Sequence, residues 1–233
     1  ANTAVGYKAL EDATNSWNTA IGDNAMANCT TGHNNVAVGH QALDAALTGT
    51  HNVAIGVNAM GGATTASSNV AIGQLAAYDL TTGGSNVCVG YYAAQNLTTG
   101  AANVAIGREA LQANTTVDHL VAVGYHALYA NTTGTNGVAV GKDALQANTT
   151  GDNNCAVGLE ALQTNTSGNS NTALGTGALA LSETGHTNTA VGRAALGTLT
   201  TGSSNTACGA LALDANTTGG YNTAVGQGAL NGA

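Results

Sequence analysis

The 233-residue sequence consists largely of residues with almost no side chain, since 46 are alanine and 33 are glycine. Proline is absent, which excludes collagen, and charged residues make up only 7% of the chain, which argues against intrinsic disorder. The net charge of −8 disfavours nucleic acid and anionic membrane surfaces as partners.

The sequence contains no apolar run near the roughly 18 residues that a membrane-spanning helix needs, so no membrane insertion is expected. The chain begins with Ala and shows no signal peptide. These features indicate a processed chain or a piece of a longer one.

A short repeat fills the whole sequence. The segment Asn-Val-Ala-Val-Gly at residues 35–39 returns at 52–56, at 69–73 and onward to 222–226. The closing glycines are 16 residues apart at the first step and 17 at the other twelve, which gives fourteen copies. The prediction is one repeat array over residues 1–233, wound as a solenoid.

We number each unit from its Asn, so that Asn35 is position 1. Gly at position 5 and Ala at position 8 occur in all fourteen copies, and Asn at position 1 in twelve. The markers of this pattern include Asn35, Gly39, Ala42, Asn52, Gly56, Ala59, Asn103, Gly107, Ala110, Asn222, Gly226 and Ala229.

Each unit predicts the same elements in the same order. The β-branched residues at positions 2 and 4 indicate a short strand that ends at the Gly of position 5. A second short strand is expected over positions 8–11, followed by a corner with Asn-Thr-Thr-Gly turn chemistry. The predicted fold is all-β, a parallel β-solenoid or β-roll of fourteen 17-residue coils. At ~4.8 Å per coil it would form a rod of roughly 65–70 Å.

The first strand is mostly apolar on both faces, with Val or Thr at position 2 and Val, Ile or Leu at position 4 on one face, and Ala at position 3 and Gly at position 5 on the other. A strand that is apolar on both faces is usually buried on both. We therefore expect a second copy of the chain to cover one face in a homo-oligomer. The alternative is a wider single-chain roll whose own second strand covers it.

Residues 52–60 (Asn-Val-Ala-Ile-Gly-Val-Asn-Ala-Met) and 103–111 (Asn-Val-Ala-Ile-Gly-Arg-Glu-Ala-Leu) resemble the head repeats of trimeric autotransporter adhesins. They also resemble similar repeats in phage tail-fibre proteins. The resemblance implies a left-handed parallel β-roll, three chains side by side, and a surface-exposed rod that contacts a host or acts as a spacer.

Catalytic and cofactor motifs are missing from the sequence, so we expect a non-enzymatic protein without cofactor or metal. The histidines lie in different columns of the repeat, and no Cys-x-x-Cys or His-x-x-x-His spacing occurs. The four cysteines are at least three coils apart, too far for a disulfide, so free thiols are expected.

Positions 6 and 7 vary most in chemistry and are the expected ligand or ion face. Position 7 holds a carboxylate–imidazole–carboxylate series that could hold a cation or raise a histidine pKa, or that interleaves opposite charges on a solvated face. The candidate residues are Tyr91, Tyr92, Arg108, Glu109, Tyr125, His126, Lys142, Asp143 and Glu160.

Two features of the Asn-Thr-Thr-Gly corner suggest other roles. Thr at position 14 could form a flat ice-binding array, or a hydroxyl ladder that satisfies turn amides. Because adjacent residues at positions 13 and 14 should point opposite ways, one outward row is expected. Several corner asparagines could be glycan acceptors or plain turn residues: Asn114, Asn131, Asn148, Asn165 and Asn216.

The sequence thus favours a structural or adhesive rod in an extracellular fibre, surface adhesin or phage tail fibre, located outside the cell, on its surface or on a virion. The expected partners are further copies of the chain, and a host-surface glycan or protein. Because both ends of the array lack a cap, either flanking sequence is missing or rods join end to end. The alternatives are a carbohydrate-binding surface on the variable columns and an ice-binding solenoid.

Overall fold

The computed structural model describes residues 1–45 and 47–232 and divides the chain into two compact units, residues 1–119 and 120–233. Each unit holds one three-residue strand per repeat. The strands of the first unit are β1 (Thr3–Val5), β2 (Thr19–Ile21), β3 (Val36–Val38), β4 (Val53–Ile55), β5 (Val70–Ile72), β6 (Val87–Val89) and β7 (Val104–Ile106). Those of the second are β8 (Val121–Val123), β9 (Val138–Val140), β10 (Cys155–Val157), β11 (Thr172–Leu174), β12 (Thr189–Val191), β13 (Thr206–Cys208) and β14 (Thr223–Val225).

Within each unit, consecutive strands pair in parallel and in register. Ala54 lies opposite Ala71 between β4 and β5, and Ala173 lies opposite Ala190 between β11 and β12. Equivalent residues of successive coils therefore form straight columns. This confirms the predicted all-β parallel solenoid with its 17-residue step.

The core is the Ala side of the strand. Ala37 and Ala54 at position 3 are completely buried, and so are Ala42 at position 8 and Leu43 at position 9. In contrast, position 4 is open to solvent, and Ile55 and the equivalent isoleucines of the first unit are 37–41% exposed. The small Ala face thus points into the coil, and the Val/Ile face is the outer surface of the sheet.

The expected second strand at positions 8–11 is wrong. In its place the chain turns, with left-handed backbone at positions 7 and 9, as at Gln41 and Leu43, both with φ of 53°. Hydrogen bonds still join the coils there, since the N–H of Leu43 donates to the oxygen of Ala59 at 3.0 Å. The alternating backbone curls the chain, so this segment forms inter-coil bonds without being extended.

Position 5 requires glycine for two independent reasons. Gly39 has a φ of 139°, a region that L side chains rarely adopt. A Cβ on it would also lie 2.6 Å from the carbonyl oxygen of Gly56 in the next coil. The same contact recurs along the column because the coils are stacked at one strand spacing.

Asn at position 1 forms a buried ladder that joins the coils. The N–H of Asn52 donates to Oδ1 of Asn35 at 2.9 Å, and its Nδ2 donates to the Ala66 oxygen at position 15 of its own coil. The ladder recurs in the second unit from Asn154 to Asn222. Each buried amide is thereby satisfied, which explains why a polar residue persists at this position.

Candidate functional site

In the first unit, the variable columns bring two tyrosines and an ion pair together. The rings of Tyr91 and Tyr92 are 4.0 Å apart between centroids, and hydrogen bonding to Tyr92 raises the pKa of Tyr91. The Arg108 guanidinium lies 5.6 Å from the Tyr91 ring centroid, and its Nε is 2.9 Å from Oε1 of Glu109. Tyr91 is 38% exposed, so its ring is accessible from solvent.

The second unit carries a similar cluster. Tyr125 and His126 are stacked with centroids 3.7 Å apart, and Tyr129 lies 4.8 Å beyond His126. The Asp143 carboxylate is 3.4 Å from both His126 Nδ1 and Lys142 Nζ. Asp143 is buried, whereas Tyr125 is 37% exposed.

Glu160 continues the position 7 column, with its N–H donating to the Lys142 oxygen at 2.9 Å. Across residues 1–45 and 47–232, no group of three or more His, Cys, Asp or Glu side chains is arranged to hold a metal ion. The arrangement therefore supplies paired charges and aromatic surface, and a cation ladder remains only a sequence-based prediction.

A third cluster lies in the first coil, on the same two variable columns that the sequence predicts as the ligand face. Lys8 Nζ is 3.1 Å from Oε2 of Glu11 and 5.8 Å from the Tyr7 ring centroid. The hydrogen bond to Glu11 is the largest cause that raises the pKa of Lys8. Tyr7 at position 6 belongs to the predicted ligand columns, whereas the partners Lys8 at position 7 and Glu11 were not identified from the sequence.

The corner asparagines form a second interior ladder at position 12. Asn131, Asn148 and Asn165 are buried, and each donates Nδ2 to the carbonyl three residues ahead. Asn114 and Asn216 make the same bond in their own units. Because these amides are engaged in the coil, a glycan on them is compatible only with an unfolded corner.

The Thr columns differ from the expectation in two respects. The hydroxyl ladder is formed at position 13, where Thr81 Oγ1 donates to the Thr98 oxygen at 3.0 Å and Thr149 Oγ1 to the Thr166 oxygen at 2.9 Å. These hydroxyls satisfy carbonyls rather than turn amides. Position 13 also reaches the surface beside the exposed position 14, so the expected single outward row is wrong.

Position 16 carries a structural role that the sequence analysis missed. Its side chains accept from the backbone N–H of position 16 in the preceding coil, as Asp152 Oδ1 does from Thr135 at 2.7 Å. His186 Nδ1 accepts from Asn169 in the same way at 2.9 Å. The detectable signal was the abundance of hydrogen-bond acceptors in this column.

The cysteines are free thiols, as expected. Burial raises the pKa of Cys88 to about 12, whereas Cys208 is exposed on the outer sheet face. No helix among the described residues has the length and apolar character to span a bilayer.

Neither protein-family models nor curated protein sequences gave a match to this chain. The residues and their geometry therefore carry the functional argument.

Proposed function

We propose that this chain is a non-catalytic structural and adhesive segment of an extracellular fibre, surface adhesin or phage tail fibre. In this proposal several copies associate side by side through their outer sheet faces. The resulting rod holds the variable columns at the surface, where they contact a host glycan or protein.

The observation that supports self-association is the exposed apolar column on the outer sheet face. Ile55, Ile72 and Ile106 are 37–38% exposed, and valines of position 2 lie half-buried beside them. Contiguous exposed apolar surface of this kind is typical of protein interaction sites. A second copy fits this surface because its own column has the same spacing between coils, so the side chains can pack in register.

The test is the mass of the chain in solution, measured by light scattering with the Ile55→Lys/Ile72→Lys double variant beside the wild type. The wild type should have a mass that is a multiple of 22.6 kDa, and the variant should approach 22.6 kDa. Lysines placed on an exposed face leave the coil interior unchanged, so folding should persist.

The matched control is Thr65→Lys/Thr82→Lys, which places the same charges on the exposed position 14 column. It should keep the wild-type mass. A monomeric wild type, or equal dissociation of both variants, would contradict association through the outer sheet face.

Ice binding is a second candidate because two adjacent Thr columns reach the surface rather than one. The position 13 hydroxyls are fixed by their bonds to the next coil, which orders the array. A thermal-hysteresis measurement tests this candidate, with Thr82→Lys and Thr99→Lys as disruptive variants. Absence of hysteresis in the wild type would reject it.

A further inference from the structure

The distribution of positive charge over the repeat is highly uneven. The chain has four Lys and Arg residues. All four occupy position 6 or 7, which are two of the seventeen positions of the repeat. Lys8 is at position 7, and Arg108, Lys142 and Arg193 are at position 6. The coil does not require cations there, since neutral or acidic residues fill these positions in most of the other repeats.

Three of these four cations share a surface group with a tyrosine and a carboxylate. In the first unit the groups are Tyr7–Lys8–Glu11 and Tyr91–Arg108–Glu109. In the second unit Lys142 pairs with the buried Asp143, and His126 joins that carboxylate to the Tyr125 ring on which it is stacked. The nitrogen-to-oxygen distances within the ion pairs are 3.1, 2.9 and 3.4 Å. In each group the tyrosine is among the exposed large side chains.

The chemistry of such a group suits a sugar ring. An exposed aromatic face packs against the apolar C–H face of a pyranose, and gives contact area at low entropic cost. A carboxylate accepts hydrogen bonds from sugar hydroxyls, and a cationic side chain donates to their oxygens. Polar groups placed around an apolar platform are the usual composition of a small-molecule site.

The charge balance indicates which sugars fit. Each cation is paired with its own carboxylate, so a group has little net charge to attract an anion. The chain as a whole carries a net charge of −8, which repels anionic polymers. Neutral hexoses are therefore favoured over uronic or sialic acids.

We propose that the three Tyr–cation–carboxylate groups are binding subsites for neutral hexose units of a glycan. This inference rests on the adhesive role proposed above and names the ligand class of that surface. Several weak subsites in one chain, multiplied by self-association, would give useful avidity without a deep pocket.

The experiment is a glycan array printed with neutral glucans, mannans and galactans beside sialylated and uronic-acid glycans. The folded wild type should bind one or more neutral glycans at physiological salt. The Tyr91→Ala/Tyr125→Ala double variant should lose about tenfold or more in apparent affinity, because two stacking platforms are removed.

Two further sets of variants keep the test specific. Tyr91→Phe/Tyr125→Phe retains both rings and should bind within about threefold of the wild type. Tyr221→Ala removes a tyrosine that is 89% exposed at position 17, outside the groups, and should bind like the wild type. Thermal melts verify that every variant remains folded.

No binding to any neutral glycan, binding confined to acidic glycans, or equal loss in Tyr221→Ala would overturn the inference. Its failure is distinguishable from failure of the proposed function. An oligomer that binds no neutral glycan rejects the subsites alone, whereas a monomer that binds them rejects the assembly alone.

Discussion

The two units fill the same interior space at position 12 in different ways. In the first unit most of the described side chains there are apolar and buried, namely Cys29, Ala63, Leu80 and Leu97. In the second unit a run of amides occupies the column, and Asn148 Nδ2 donates to Asn131 Oδ1 at 2.9 Å. One backbone therefore accepts either an apolar side chain or a hydrogen-bonded amide at this position, and Leu199 is buried in the second unit's column as well.

The outer sheet face differs between the units as well. Position 2 is Val throughout β3–β7 in the first unit, whereas it is Thr throughout β11–β14 in the second. The apolar outer surface is thus most continuous in the first unit. The comparison shows that a few positions, such as the glycine of position 5 and the alanine of position 8, are the same in every coil. The residue types in other columns, such as positions 2 and 12, differ between the two units.

The largest predicted effect concerns position 5, which the units share. Gly73→Ala and Gly175→Ala should each cost at least about 3 kcal/mol, because φ is positive and the new Cβ would meet the next coil's carbonyl oxygen. A Cβ added at position 73 would meet the carbonyl oxygen of Gly90, and one added at position 175 would lie 2.6 Å from the carbonyl oxygen of Gly192. Chemical denaturation measures both values.

The control is Gly177→Ala at position 7, where a Cβ meets nothing within 4 Å and φ is 67°. Most other repeats have a non-glycine residue at position 7 in the same conformation. Gly177→Ala should therefore lower the free energy of unfolding by about 1 kcal/mol or less. If all three substitutions cost the same, close stacking at position 5 is not what restricts that position to glycine.

An intermediate effect is expected from exchanging the apolar and amide side chains at position 12. Leu80→Asn should lower the free energy of unfolding by about 3 kcal/mol, because a buried amide would lie between the apolar side chains of Ala63 and Leu97. Asn148→Leu should cost about 2 kcal/mol, since Asn131 and Asn165 would each lose a hydrogen bond.

Leu80→Met conserves volume and should cost less than about 1.5 kcal/mol. The denaturant midpoints of Leu80→Asn, Asn148→Leu and Leu80→Met measure these three changes in stability. Should Leu80→Asn be as stable as Leu80→Met, apolar neighbours would not disfavour an amide at this position.

The smallest predicted effect is a stabilisation where the position 12 asparagine ladder of the second unit is interrupted. Asn165 Oδ1 and Ser182 Oγ are both buried without a hydrogen-bond partner, because serine is too short to continue the amide series. Ser182→Asn should supply the missing donor, and Gly185 three residues ahead matches the other asparagine corners. The expected gain is about 1 kcal/mol, or roughly 2–4 °C in Tm.

Ser182→Ala removes the unsatisfied hydroxyl without extending the ladder, so it separates the two contributions. Calorimetry should rank the asparagine variant above the alanine variant. The reverse order would show that the column gains nothing from amide continuity.

Much of the candidate surface could be predicted from the sequence, because ligand contacts fall in columns that the coil leaves free to vary. Tyr91, Arg108 and Lys142 were identified in this way, and the structure places each beside an ion pair or a ring. The burial of Asn131 and its neighbours was not predictable, since Asn-x-Thr reads equally well as an exposed turn.

By itself the sequence determined the step, the strand and the register. A period of 17 residues without insertions allows only coils of equal geometry, and the Asn-to-Gly segment marks where they pair. The tertiary structure alone decided which face is interior and how positions 6–11 run. Residues such as Gln41 and Leu43 have no intrinsic preference for positive φ, so their conformation is imposed by hydrogen bonds and close packing between neighbouring coils.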